Sequence, residues 1–268
     1  MTLSQTLPKA WTAFTENKKY LLFIILIEFV FLFLLTQAHL YFFVPSAEAA
    51  TMAGEAMSKQ VEAMPETELY QLETKLAESK EFMVAYRLLL TYIIYFILSI
   101  LALFIVFRTP LWYLSHKSIY KKMPFKPVMI KFPLMTLFWF AIICVAFVIY
   151  SIATGSTATI LPLVSSDTAT FLMLIILLAV FYFSQISFAL IPAQQTFKKT
   201  FTYGVKHAKS IIPAFLVNAS ITFIVLSLPF NWIATMPLLS LAIILIITIP
   251  ALAFARLHMI VAIWEKHS

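Results

Sequence analysis

The residues able to do chemistry stand out in this chain because most of them sit in the wrong solvent. Glu28 lies inside KKYLLFIILIEFVFLFLLTQ, residues 18–37, where nearly every neighbour is hydrocarbon. A charge at the middle of a bilayer costs about 2.5–3.5 kcal/mol on insertion scales. Such an acid needs a partner. Arg256, in the apolar run ALAFARLHMI, has the opposite sign. At about 1.5 Å rise per residue, Glu28 lies about 12 Å inside the apolar edge at Tyr20, and Arg256 about 10 Å inside the edge near Ile263. The two runs enter from opposite chain directions, so sequence spacing does not impose the match. An ion pair is expected, with the first and last spans side by side. Gln185 and Asn218 fall at about 10 and 12 Å by the same arithmetic, Ser99 is comparable, and His258 lies one short step from Arg256. The expectation is a buried polar layer of Glu28, Arg256, Gln185, Asn218, Ser99 and His258.

Three chemistries suit such a layer. It could be a polar cluster that fixes helix register, because buried charges add little net stability but punish mispairing. It could line a cytoplasm-facing polar cavity for a substrate or ion. It could be an acid–base pair acting on lipid. Catalysis needs a nucleophile with its base, or a bound metal. The histidines do not converge: His39 is near an outer end, while His116 and His207 lie in basic loops, and HExxH is absent. Gly54, Gly155 and Gly204 are isolated, which excludes a phosphate-cradling loop or a dinucleotide fingerprint. Cys144 stands alone in an apolar run. It cannot form an intrachain disulfide, and is expected to be a small buried hydrophobe. Asn218-Ala219-Ser220 matches a glycosylation sequon but lies within a span, where it cannot be modified. No catalytic residue, metal ligand or cofactor is expected.

The elements that must position these residues follow from composition. Of 268 residues, 62% are hydrophobic and 12% charged, against roughly 25% charged in soluble domains. A hydrocarbon core about 30 Å thick takes about 20 apolar helical residues. Six runs qualify: Tyr20–Val44, Val84–Phe107, Phe132–Ala153, Ala169–Ile191, Ser210–Leu228 and Pro237–Ile263. The first is too long for the core of a cleaved signal peptide, although Ala47-Glu48-Ala49 has the small-x-small form of a cleavage site. The expected fold class is all-α, a polytopic membrane helix bundle, with residues 1–268 as a single membrane domain.

The basic residues set its direction. Lys9, Lys18, Lys19, Arg108, Lys117, Lys121, Lys122, Lys126, Lys131, Lys198, Lys199, Lys206, Lys209 and Lys266 fall on one side. Lys59, Lys75 and Lys80 fall on the other. Short cytoplasmic loops carry the excess of lysine and arginine, so both termini are expected in the cytoplasm of a cell-membrane protein. The net charge of +7 then reflects basic loops over anionic headgroups. Membrane lipid is the expected partner, and nucleic acid is not.

Each odd-numbered span follows a basic, aromatic stretch: PKAWTAFTENKKYLL, WYLSHKSIYKKMPFKPVMIKFP and QQTFKKTFTYGVKHAKSIIP. Prolines repeat the punctuation, at Pro110 and Pro192 after spans and at Pro133 and Pro213 near span starts. A threefold unit is expected, with an interfacial amphipathic helix before each transmembrane hairpin. The stretches AWTAFTENKKYLLFIIL and TFTYGVKHAKSIIPAFLV resemble those of six-helix prokaryotic membrane proteins related to the membrane domain of some glycerophosphodiester phosphodiesterases. That resemblance implies a six-helix bundle with amphipathic helices on the cytoplasmic face. It implies no catalytic residue, because the phosphodiesterase chemistry belongs to a separate soluble domain.

The one sizeable polar segment is residues 45–83. Glu48, Glu55, Glu62, Glu66, Glu68, Glu73, Glu78 and Glu81 outnumber its lysines. Pro65 should divide it into two short helices, with Leu69, Leu72 and Leu76 at helical spacing. It lacks EF-hand ligand spacing and offers an acidic surface to a possible protein partner. In the last span, Pro250 should kink the helix. The function expected is a non-catalytic multi-pass bundle that organises lipid or docks partners; the alternative is a small transporter or permease subunit with its cavity around Glu28 and Arg256.

Overall fold

The computed structural model describes residues 3–65, 72–120, 123–154, 165–230, 236, 240 and 242–264. Glu66, Glu68, Leu69, Lys121, Lys122, Gly155 and Lys266 lie outside them. The regular structure of the described residues is all helical, with no strand among them. We number the helices α1 (Leu3–Glu16), α2 (Lys18–Ala38), α3 (Val44–Glu62), α4 (Leu72–Glu78), α5 (Lys80–Ile119), α6 (Phe125–Ala153), α7 (Ser166–Ala189), α8 (Thr196–Lys206), α9 (Ala208–Phe230) and α10 (Ile249–Trp264). Six runs are long and apolar enough to cross a membrane: Lys18–Glu62, Lys80–Ile119, Phe125–Ala153, Ser166–Ala189, Ala208–Val225 and Ile244–Trp264.

The chain divides into two compact units. The larger comprises residues 1–29 and 107–268. In it α10 packs against α9, α7 and α1, while α6 packs on α7 and α8 bridges α7 and α9. The most deeply enclosed element is α10, whose residues from Ala255 to Ile263 are all buried. The smaller unit is residues 30–106, where α3 leans on α4. The buried residues of α3, Ser46, Ala49, Ala53 and Ala56, are all small and recur every three or four positions. They define one face of the helix. Glu62 ends α3 and Pro65 follows, as the punctuation predicts.

Two prolines explain two irregularities. A π-helical turn at His39–Phe43 ends two residues before Pro45, and another at Ile244–Thr248 ends two residues before Pro250. Proline lacks an N–H, and its ring clashes with the carbonyl four residues earlier. Tyr41 and Ile246 carry those carbonyls, and each lies inside its π turn. The helix widens there to bonds spanning five residues, from Val44 N–H to the His39 carbonyl and from Ile249 N–H to the Ile244 carbonyl. Widening absorbs the clash without breaking the helix. Thr248 is held beside this turn by donating to the Val225 carbonyl of α9 at 3.1 Å.

The threefold unit holds only in part. Separate helices, α1 and α8, precede α2 and α9. Before α6, none is found among the described residues: α5 runs through Arg108-Thr109-Pro110 without ending and reaches Ile119. α5 ends at Ile119, and the extended Pro124 immediately precedes α6. Cys144 also departs from expectation. It is exposed on α6, because an apolar run reads the same whether a given face meets a neighbouring helix or lipid.

Candidate functional site: a carboxylate held by two arginines

Segments of three helices within the larger unit bring one acid and two bases together. Glu28 comes from α2, Arg108 from α5 and Arg256 from α10. Arg256 Nη2 donates to Glu28 Oε2 at 3.1 Å, and Arg108 Nη1 donates to Oε1 at 2.5 Å. Each carboxylate oxygen thus has its own guanidinium. Charge-assisted bonds of this kind are roughly twice as strong as neutral ones. Glu28 and Arg256 are buried, while 18% of the Arg108 side chain remains accessible.

One turn away on each helix sits an apolar residue: Ile24, Leu111 and Ala253. These three form a buried cluster on which Phe14, Leu21, Ile27 and Leu114 pack. The same helical repeat that puts Glu28, Arg108 and Arg256 on facing sides therefore also puts hydrocarbon beside them. Around Glu28 and Arg256, which are buried, the ion pairs act in a low dielectric, while Arg108 keeps part of its surface accessible.

A second polar chain lies on the other side of α10. His258 Nδ1 is 2.9 Å from Asn218 Oδ1, and His258 Nε2 is 3.0 Å from Thr6 Oγ1. The amide oxygen accepts only, so Nδ1 carries a proton toward Asn218, while Nε2 pairs with the threonine hydroxyl. Both ring nitrogens are thus engaged. It ties α1, α9 and α10 at one point. The Phe254 ring stacks on His258 and meets Trp11 and Phe14 edge-on.

The six residues of the expected layer therefore separate. Glu28 and Arg256 are in contact. His258 and Asn218 belong to the second chain. Gln185 is half-buried on α7 and, among the described residues, hydrogen-bonds to none of the others. Ser99, half-buried, belongs to the smaller unit. Two partners were missed. Arg108 reads in sequence as a loop cation at the end of a span, yet it is internal to α5 and holds half of Glu28. Its flanks, Phe107 before and Leu111-Trp112 one turn after, are the signal that it lies on a buried face. Thr6 carries no sequence signal, since a threonine in a short polar helix is ordinarily solvated.

A third cluster closes the C-terminus of α7. The last carbonyls of a helix lack internal donors. Here His116 Nε2 donates to the Phe188 carbonyl at 3.1 Å, and Trp264 Nε1 to that of Ala189 at 2.6 Å. Lys131 Nζ donates to the carbonyls of Ile191 and Ala193 at 3.2 and 2.8 Å. Thr196 serves the Leu190 and Ala193 carbonyls. A cation at a helix C-terminus also meets the negative end of its dipole. His116 and Lys131, which the sequence places among loop charges, are thus structural donors.

In the smaller unit a groove of about 500 Å³ is lined by the apolar Met52, Ala56 and Val84 together with the charged Glu55, Lys59, Lys80 and Glu81. Lys59 and Glu81 are 3.9 Å apart and both exposed. Pairs of this kind contribute little.

In comparisons with family models, curated proteins and solved structures, nothing matches this chain.

Proposed function

We propose that the chain is a multi-pass integral membrane protein of the cell membrane, with six spans and both termini cytoplasmic, acting as a non-catalytic bundle that organises lipid or docks partners. The observation that carries this reading is the enclosure of Glu28. Both of its oxygens are committed to arginines and its surroundings are apolar. A carboxylate so engaged is a poor base and a poor ligand, but it fixes which faces of α2, α5 and α10 meet. Anionic headgroups are the natural counterions of the lysine-rich loops. The acidic segment 45–83, with its groove, is the surface offered to a protein partner. The resemblance of two stretches to proteins related to the membrane domain of glycerophosphodiester phosphodiesterases fits the same reading, because that domain supplies membrane helices and not the hydrolytic chemistry.

The competing reading is a transporter with a cytoplasm-facing cavity at Glu28 and Arg256. The π turn before Pro250 favours it, since interrupted helices line many transport sites. Thiol accessibility separates the two. In a Cys144→Ser background, single cysteines replace Glu28 and Ala253. The bundle reading expects neither to react with a water-soluble maleimide in native membranes, and both to react after denaturation. Native-state labelling of either from the cytoplasmic side establishes the cavity and removes the structural assignment.

A further inference from the structure

The helix α8 has three distinct faces at helical spacing. Thr196, Thr200 and Gly204 are buried. Phe197, Phe201 and Val205 form an exposed apolar strip, with Val205 71% exposed. Lys198, Thr202 and Lys206 form an exposed polar strip beside it. The buried face is locked. Tyr182 Oη of α7 donates to the Gly204 carbonyl at 2.8 Å, serving one of the carbonyls left over at the end of α8. A Cβ on Gly204 would lie 2.5 Å from the Phe183 ring, so only glycine admits this approach. Phe201 lies near the rings of Trp139 and Phe183, and Phe197 meets Phe138 edge-on.

Charge identifies the occupant of the two exposed strips. Between Asp167 and Glu265 the chain contains no acidic residue, so that segment offers no counter-charge to the exposed Lys198 and Lys206. α7 ends at Ala189 and α9 begins at Ala208. Two apolar spans therefore hold α8 within a few residues of the bilayer edge. A soluble acidic protein would satisfy the lysines but would gain little from an apolar strip of this exposure. An anionic bilayer surface satisfies both: acyl chains beside Phe197, Phe201 and Val205, and phosphate headgroups beside Lys198 and Lys206.

We infer that α8 is a rigidly mounted reader of lipid charge, docking on an anionic bilayer surface and enriching anionic lipid beside it. This rests on the reading of the chain as a membrane bundle. The test uses the full chain with Cys144→Ser and Val205→Cys, labelled with an environment-sensitive fluorophore, in nanodiscs of mixed phosphatidylcholine and phosphatidylglycerol. Quenching by nitroxide-labelled phosphatidylglycerol is compared with quenching by nitroxide-labelled phosphatidylcholine. The expected result is several-fold stronger quenching by the anionic lipid. That preference should fall in each of Lys198→Gln and Lys206→Gln, be lost in the double variant, and be insensitive to added inorganic phosphate. Equal quenching by the two lipids overturns the charge selectivity. Free quenching by acrylamide without nitroxide quenching overturns the docking and leaves α8 facing water, open to a protein. A second probe at Phe223→Cys, 76% exposed on α9, separates this inference from its premise. Nitroxide lipids should quench it in every case, and failure there removes the membrane reading itself.

Discussion

At the scale of residues, the chemistry of this protein is the chemistry of one carboxylate facing two guanidiniums. Removing one member of a buried ion pair is strongly destabilising, by about 3–5 kcal/mol, because the other charge is left without compensation. Glu28→Gln should sit at that upper level, since it leaves two like charges facing each other. Arg256→Gln should cost somewhat less, because Glu28 keeps Arg108. Arg108→Gln should cost least, about 1.5–3 kcal/mol for a charged hydrogen bond, because its side chain still reaches solvent. Thermal unfolding of the detergent-solubilised protein checks the order. Replacing all three by Leu should recover most of the loss, as apolar substitutes for buried ion networks often do. A triple variant no better than Glu28→Gln would mean that the network serves more than packing. The sign and depth of Glu28 and Arg256 are legible in the chain because a span forces both to about one level. Arg108 is not, because a charge near the end of an apolar run has two possible environments and only the neighbouring helices select one.

At the scale of elements, prolines and small residues decide local geometry. Pro250 is the proline at which the sequence leads one to expect a kink; the matching irregularity before Pro45 is found only in the structure. That the distortion is a widened turn follows from the helix continuing on both sides. Pro110 shows the limit. It stands at the same kind of junction, yet α5 continues through it. Gly204 offers a test at this scale. Alanine gains about 1 kcal/mol of helix propensity but forces Phe183 aside, and overpacking of this type costs typically 1–3 kcal/mol. Gly204→Ala should therefore raise amide hydrogen exchange over residues 196–206, while Gly204→Ala combined with Phe183→Leu should restore it. Unchanged exchange in the single variant would show that α8 is not locked through this face.

At the scale of the whole molecule, the apolar runs and the lysine distribution carry the argument. In sealed vesicles of each orientation, an amine reagent that cannot cross the membrane should modify Lys198 and Lys206 only from the cytoplasmic side, and Lys59 and Lys75 only from the opposite side. Labelling of both groups from one side would overturn the orientation and the depth arithmetic with it. What the sequence determined alone is the character of each segment: six runs long and apolar enough to cross a membrane, and lysines gathered in alternate connecting segments. Hydrophobicity and charge are local properties, so a linear chain displays them. Only the tertiary structure decided which faces meet. It set Arg108 rather than Gln185 beside Glu28, turned Cys144 outward, and spent His116, Lys131 and Trp264 on the end of α7. Within a run that is apolar on every side, periodicity holds no record of a partner, and the choice passes to packing between residues far apart in the chain.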